Sequence, residues 1–570
     1  METKTNEAGS GFEEVKIKLP DPEDYVLQDL DSGRCPVYVR RVPPCRTSCP
    51  SSEDIRGYLT AIAQSETYKE KRSVEESLDL AWHTLTDKNP FPAVHGRICP
   101  HPCEDGCNRR YKDEAVAINN VERVIGDHGI ERGLKLKMLT DEKRDRKAAV
   151  IGAGPSGLSC AYQLARRGYP VTVFESEEKP GGMLRYGIPA YRLPEDVLDA
   201  EIRNIIELGV ELRCGVRVGE DIPWDDVRKE YDAVYVAVGA QRGASLKIEG
   251  EDQEGVLAGV DFLRRINNGE TVDVGSSVIV IGGGNTAVDA ARVSRRLGAE
   301  VTILYRRTRA EMPAIRHEIT AAEEEDVTLE LLAAPVSISR AGGGLSVTCV
   351  RMELGEPDES GRRRPVPVEG SEFTIDGDTV IAAIGQEPDL SQMEEIADEW
   401  GWARVNARKE TAAAGVFAGG DVTALDIATT AVGHGRQAAR AMDAYFREEE
   451  YREPYVAKPV GHDEMRLDYY GAAPRHVEDE MPAEERLRSF AEVNRALTLE
   501  DAVEETKRCM SCGLCFSCDQ CRIYCQREAI SKDLGRPQGS TMFVDYAKCS
   551  GCGICEVACP CHYIEMGMGG

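Results

Sequence analysis

Between Arg508 and Gln526 the chain reads RCMSCGLCFSCDQCRIYCQ, six cysteines in one short stretch. Cysteines at this density ask for a prosthetic group rather than a hydrophobic core. Cys515, Cys518, Cys521 and Cys525 have the spacing C-x2-C-x2-C-x3-C, and Cys549, Cys552, Cys555 and Cys559 repeat it, with Pro560 following. A four-cysteine zinc site is built from two C-x2-C knuckles, so this spacing points instead to iron and sulfide. Three closely spaced thiolates wrap one corner of a cube and the fourth reaches across to a second cube.

The doubled spacing is that of bacterial two-cluster ferredoxins. It assigns Cys515, Cys518, Cys521 and Cys559 to one [4Fe–4S] cluster, and Cys549, Cys552, Cys555 and Cys525 to another. Gln526 stands where the first motif usually has proline, which bears on the turn more than on ligation. Cys509, Cys512 and Cys561 are surplus: they are either thiols beside the clusters or, for Cys509 and Cys512, a competing register. A second group of six, Cys35, Cys45, Cys49, Cys99, Cys103 and Cys107, lies near the start. Cys160, Cys214 and Cys349, alone in the middle, read as small buried apolar residues.

Electrons for such clusters need a source, and the middle of the chain carries two nucleotide-binding patterns. KAAVIGAGPSGLSCAYQLARRGYPVTVFESEEKPGG is a strand, a glycine turn, a helix and a second strand. Gly152, Gly154 and Gly157 form G-x-G-x-x-G, with Pro155 and Ser156 opening the helix. The first two glycines let the backbone turn and approach a pyrophosphate, and the third lets helix and strand sit close. Glu175 ends the second strand, where a carboxylate binds ribose hydroxyls. SSVIVIGGGNTAVDAARVSRRLGAEVTILYRRT is a second copy, with Gly282, Gly284 and Ala287 at the fingerprint positions and Asn285 and Thr286 in the first helical turn. At the offset of Glu175 this copy has Tyr305, then Arg306 and Arg307. Guanidinium groups in place of a carboxylate suit a 2′-phosphate, so NADP(H) is favoured over NAD(H).

Two dinucleotide sites suggest one bound flavin and one exchanging nicotinamide. GVFAGGDVTA resembles the late FAD motif of two-dinucleotide-domain flavoproteins, with Gly420 and Asp421 toward FAD, and ATTAVGHGRQAA then follows as a helix opening near Thr430 and Ala431. YDAVYVAVGA, with Gly239, and TVIAAIGQEP, with Gly385, look like the segments crossing between the nucleotide domains. No paired cysteines lie between Cys107 and Cys509. Hydride reaching the flavin therefore has no dithiol to reduce, and its electrons must leave singly.

The expected architecture is α/β: a helical iron–sulfur domain (1–140), an FAD domain in two parts (145–275 and 385–447), an inserted NAD(P)H domain (276–384), a linker (448–505) and a ferredoxin-like domain (506–570). A net charge of −29 argues against nucleic acid and against an anionic membrane surface. No apolar run approaches the ~18 residues of a membrane span. METKTNEAGSGFEEVKIK lacks the apolar stretch of a signal peptide, so the expected location is cytoplasmic, where thiols stay reduced. A homodimer is compatible with the sequence.

PCRTSCP, HGRICPHPCEDGC and AINNVERVIGD resemble the N-terminal iron–sulfur domain of the glutamate synthase small-subunit family, a module that dihydropyrimidine dehydrogenase also carries. The resemblance runs on through GAGPSGL, GGMLRYGIPAYRLP, GGGNTAVDAAR and YRRTRAEMPA, over roughly residues 35 to 445. It implies two N-terminal [4Fe–4S] clusters with ligands exchanged between motifs. One would take Cys49, Cys99, Cys103 and Glu122. The other would take Cys45, Cys107 and two upstream cysteines in C-x2-C. Only Cys35 lies upstream, leaving an unusual fourth ligand or no second cluster as alternatives. His95 reads as structural. Gly182, Met183 and Leu184 would approach the flavin, with Arg192 further along the same segment. The tail beyond residue 447 resembles two electron-transfer groups: the iron–sulfur flavoproteins of the dissimilatory sulfite reductase system (the DsrL group), and the NAD(P)H-linked subunits of certain 2-oxoacid oxidoreductases. CMSCGLCFSCDQC and the terminal MGMG favour the first. The function expected is an NAD(P)H:acceptor oxidoreductase serving a redox partner protein. The alternatives are an electron-bifurcating flavoprotein and a glutamate synthase-like small subunit.

Overall fold

The computed structural model describes residues 33–358, 361–453 and 457–568. Two parallel sheets dominate it. The first has the order Val416–Ala418, Ala233–Val236, Ala148–Ile151, Val171–Glu175, Glu211–Cys214. Its inner strands are continuous apolar runs because helices cover both faces. The helices Pro155–Ala165 and Ala428–Phe446 pack against each other over this sheet. Gly435 makes that contact possible, since a Cβ there would stand 2.2 Å from the Ser156 carbonyl oxygen.

The second sheet has the order Thr328–Leu331, Glu300–Tyr305, Ser277–Ile281, Thr379–Ala382, Val256–Ala258, also parallel. Val256–Ala258 pairs with Thr379–Ala382, so this unit reaches back past the expected boundary at residue 276. Short strands Arg242–Gly243 and Gln386–Glu387 pair where the chain crosses between the sheets. An antiparallel meander, Ala333–Ala341, Gly344–Pro357 and Arg363–Pro367 with Phe373–Gly377, covers one side.

The ends of the chain interlock. Helices Ile55–Ala63, Val74–Thr86, Pro92–Ile98 and Ile118–Glu131 form the N-terminal helical unit. Serine 73 caps the second of these in a reciprocal capping box with Glu76. The strand Arg34–Tyr38, however, lies outside that unit. It pairs antiparallel with Ile564–Met568, setting Cys35 opposite Gly567, and the Tyr38 and Tyr563 rings stack at 5.4 Å. Beside it, Ile530–Lys532 pairs with Met542–Val544. The stretch expected as a linker is a strap. Val493 is buried in the core of the second sheet, and Glu492 pairs with Arg97 and Arg123, at 2.8 Å each. At the end of the strap the fully buried Glu505 accepts the Ala117 amide at 2.7 Å and Arg508 Nη1 at 2.6 Å. Arg508 also pairs with Asp113 at 3.2 Å. No helix among the described residues is long and apolar enough to cross a membrane.

Candidate functional site: a flavin cleft beside iron–sulfur pockets

A cleft opens at the carboxyl ends of the first sheet's strands. Gly152, Gly154, Pro155, Ser156, Glu175, Gly182, Met183, Gly239, Gly420, Asp421 and Ala431 are brought together along it. Gly152 adopts φ +101°, and a Cβ there would meet the Ala237 carbonyl oxygen at 2.4 Å. Gly154 and Gly182 approach so closely that a Cβ on Gly182 would stand 2.8 Å from the Gly154 Cα. Backbone without side chains thus faces the N-terminus of helix Pro155–Ala165, the arrangement that receives a pyrophosphate. Gly157 works from behind, where a Cβ would lie 1.9 Å from the Gly152 carbonyl oxygen. Leu184 is buried beneath the cleft rather than lining it. Thr430 is half-buried beside Ala431.

Glu175 is held in place by its own backbone neighbourhood. One carboxylate oxygen accepts the Ala153 amide at 2.7 Å and the other the Glu177 amide at 2.9 Å. Burial pushes its carboxyl above the usual range, and these amides oppose that. Burial also pushes Asp421 up, to about 6. Glycine cradle, helix terminus, the buried Glu175 carboxyl and the half-buried Asp421 carboxyl fit an FAD. No cysteine lines the cleft among the described residues.

The second cradle repeats the first. Gly282 has φ +144°, with a Cβ position 2.2 Å from the Ala383 carbonyl oxygen, and around Gly284 a Cβ would meet nothing within 4 Å. Ala287 is buried against the core, and Thr286 is half-buried in the first helical turn. Asn285 is committed to the fold, its Oδ1 accepting the Ile315 amide at 2.9 Å. Gly385 sits at the crossing, its carbonyl accepting the Ala244 amide at 3.0 Å. The two arginines part company. Arg306 is exposed at the strand end, but Arg307 is buried and bonds the Arg363 carbonyl and Asp358, each at 2.7 Å. Arg307 is therefore a structural anchor and not a free phosphate ligand. Arg192 is likewise corrected. Its side chain, 7% exposed, lies against Asp289 at 2.8 Å and Glu318 at 2.9 Å, tying the GGMLRYGIPAYRLP segment to the second nucleotide unit.

In the helical unit, Cys49, Cys99, Cys103 and Glu122 converge. Burial, then Cys49, Glu104, Cys99 and Glu122, push the Cys103 thiol well up. Burial and then Glu122 push Cys99 up to about 12. Thiols this reluctant to ionise alone become thiolates on binding iron, whose charge replaces the lost solvation. Glu53, which sequence reasoning passed over, joins them: its carboxylate, the His95 ring and Glu122 have atoms within 4.8 Å of one another. Its signal was only a four-residue step from Cys49. His95 bonds Asn89 at 2.8 Å, and its Nε2 is buried without a protein partner among the described residues. Thr429 was also missed, one residue from the expected Thr430. Its hydroxyl donates to Cys99 Sγ at 3.1 Å.

Cys45 and Cys107 line a separate cavity that Cys35 does not reach. Cys35 stands near Cys549 instead, on the strand paired with the C-terminus. The expectation that it joins Cys45 and Cys107 is corrected, because the pairing of Arg34–Tyr38 carries it to the other end of the chain. At that end, Cys515, Cys518, Cys521 and Cys559 line one cavity, with Tyr38 from the N-terminal strand. Burial, then Cys552, Cys549 and Cys525, push the Cys555 thiol up to about 12. Both crossed ligand sets thus come together. Amide N–H groups of Ser517, Ala529 and Tyr563 point at Cys515, Cys525 and Cys559 sulfurs at 3.3–3.4 Å, the donor pattern that tunes iron–sulfur clusters.

Comparison with known proteins agrees with this reading. The family model described as pyridine nucleotide-disulphide oxidoreductase matches residues 146–435, and that described as dihydropyrimidine dehydrogenase domain II, 4Fe-4S cluster, matches residues 28–134. The NADP(+)-dependent formate dehydrogenase subunit beta of Moorella thermoacetica is 38% identical, over 82% of this chain and 70% of its own length. The NADPH-Fe(3+) oxidoreductase subunit beta of Geobacter sulfurreducens is 38% identical, over 86% and 78%. The glutamate synthase [NADPH] small chain of Escherichia coli is 36% identical, over 70% and 87%. The chain belongs to the pyridine nucleotide-disulphide oxidoreductase family, in the branch it shares with the glutamate synthase small chains, and is an iron–sulfur flavoprotein oxidoreductase.

Proposed function

We propose that the chain exchanges electrons between NADPH and a partner protein, through the flavin cleft and the iron–sulfur pockets. One observation carries the reading. The helix Ala428–Phe446 begins on both sites at once, with Ala431 on the cleft wall and the Thr429 hydroxyl 3.1 Å from Cys99 Sγ. Bound FAD supplies the junction between two-electron hydride chemistry and one-electron transfer. The residues do the rest. Gly154 and Gly182 admit the pyrophosphate, Glu175 presents lone pairs left over from its two amide bonds, and Asp421 closes the far side. Arg306, exposed at the end of the strand, supports a 2′-phosphate and hence NADP(H); of the three relatives, one is named for NADP(+) and two for NADPH. The test is anaerobic addition of NADPH with flavin and cluster spectra followed together. Bleaching of both supports the proposal; bleaching of the flavin alone contradicts it.

The partner we favour is the dissimilatory sulfite reductase system, on the resemblance of CMSCGLCFSCDQC and the terminal MGMG. Relatives named for formate dehydrogenase and for Fe(3+) reduction supply the rival reading of a subunit in another complex. Anaerobic affinity purification from the source cells decides. Sulfite reductase subunits support the first, while formate dehydrogenase or 2-oxoacid oxidoreductase subunits overturn it.

A further inference from the structure

Cys509 and Cys512 have no place in the ferredoxin-like ligand sets, and Cys45 and Cys107 lack the C-x2-C pair that their motif implies. The fold brings these two deficits together. Cys45, Cys107, Cys509 and Cys512 line a single cavity, as Cys515, Cys518, Cys521 and Cys559 line another. Leu59, Val116 and Ile118 give it apolar walls. Arg56, buried, stands at its edge as counter-charge for an anionic group, while the Arg109 guanidinium beside it is paired with Asp113 at 2.6 Å. Asn108 Nδ2 points at Cys512 Sγ at 3.6 Å, a donor to sulfur. Among the described residues all four cysteines are free of disulfides.

The C-x2-C pair is held there firmly. Arg508, immediately before Cys509, reaches the Glu114 carbonyl at 2.8 Å and Asp113 at 3.2 Å. The Cys512 carbonyl accepts Arg56 Nη1 at 2.5 Å, and Gly513 bonds Arg41 through its carbonyl at 3.0 Å. We propose that Cys45, Cys107, Cys509 and Cys512 hold a fourth [4Fe–4S] cluster, ligated from both ends of the chain. On assembly four Fe–S bonds form and four thiol protons leave.

This cluster would close a gap in the electron route. The Cys49 amide closes a helical turn on the Cys45 carbonyl, and Cys107 follows Cys103 by four residues, so the cluster would adjoin the one at Cys49, Cys99 and Cys103. On its other side, Cys512 and Cys515 are three residues apart, a span of at most about 11 Å. The cluster would thus stand between the flavin-side site and the ferredoxin-like pair. The inference is independent of which partner takes the electrons.

The test is iron and acid-labile sulfide content with electron paramagnetic resonance, on the full chain purified anaerobically. FAD content serves as the check on folding. The unaltered chain should hold about 16 irons, as four [4Fe–4S] clusters. The double variant Cys509→Ala/Cys512→Ala should lose about four, and so should Cys45→Ala/Cys107→Ala. Combining both pairs should remove no more than either alone, and Cys35→Ala should remove none. Should a double variant fail to keep its FAD, Cys512→Ser alone is read instead, by the changed resonance of one cluster. Full iron in Cys509→Ala/Cys512→Ala, additive losses on combination, an unchanged Cys512→Ser spectrum, or a zinc lost in place of iron would each overturn the proposal.

Discussion

The two ends of the chain both gather cysteines, but they do so in different ways. At the C-terminus three ligands of each set are written into one short stretch, Cys515 to Cys521 and Cys549 to Cys555, and the crossing of Cys525 and Cys559 follows from the spacing. At the N-terminus the sets are assembled by tertiary structure. Helices Pro92–Ile98 and Ile118–Glu131 bring Cys99 and Glu122 to Cys49, and the chain's far end brings Cys509 and Cys512 to Cys45. The exchange is mutual, because Arg34–Tyr38 completes the C-terminal sheet. The ferredoxin-like unit is thereby fastened at both edges rather than carried on a free linker.

Truncation should give the largest effect. Ending the chain before residue 513 should cost about eight irons, whereas ending it before residue 506 should cost about twelve. Flavin reduction by NADPH should survive both, as judged by iron content and anaerobic spectra. Equal losses would erase the difference between the two ends.

The next effect concerns the anchor of the strap. Burial alone would raise the Asp113 carboxyl, but Arg109 and the amides of Ala473 and Glu114 hold it well below the usual carboxylate range. A depressed pKa contributes stability above about pH 4, the ordinary carboxylate value, and that contribution is lost as acid protonates the folded state. Asp113→Asn should therefore cost about 2 kcal/mol near neutrality and nothing extra in strong acid, read by denaturant unfolding at several pH values.

The two nucleotide cradles differ in a way that can be sharpened. Arg306→Ala should raise KM for NADPH about tenfold, some 1.4 kcal/mol, and leave NADH unchanged. Arg307→Ala should alter stability without that selectivity, because its guanidinium is spent on Asp358 and the Arg363 carbonyl. Smallest of all, Thr429→Val removes one hydroxyl from Cys99 and should slow electron passage out of the flavin about fivefold, the worth of about 1 kcal/mol.

Much of this was legible in the residues. Both glycine fingerprints, Glu175, Asp421 and the ferredoxin-like ligand sets depend on local spacing, and local spacing is what a sequence shows. Arg307 and Arg192 misled because a guanidinium near a nucleotide motif looks alike whether it faces phosphate or a buried carboxylate. Their partners, Asp358 and Asp289, lie far along the chain. Cys35 misled because strand pairing across more than five hundred residues outweighed its nearness in sequence to Cys45. Glu53 and Thr429 carry no motif and acquire meaning only from what the fold sets beside them.

On the proposed route, electrons leave the flavin cleft on the Thr429–Cys99 side and reach the ferredoxin-like pair through the N-terminal pockets. Freeze-quench electron paramagnetic resonance after mixing with NADPH, on the unaltered chain and on Cys99→Ser, tests it most directly. The account predicts that the N-terminal cluster signals precede the ferredoxin-like ones, and that in Cys99→Ser the flavin is still reduced while the ferredoxin-like clusters lag far behind. Ferredoxin-like signals that rise first, or at an unchanged rate in Cys99→Ser, would contradict it.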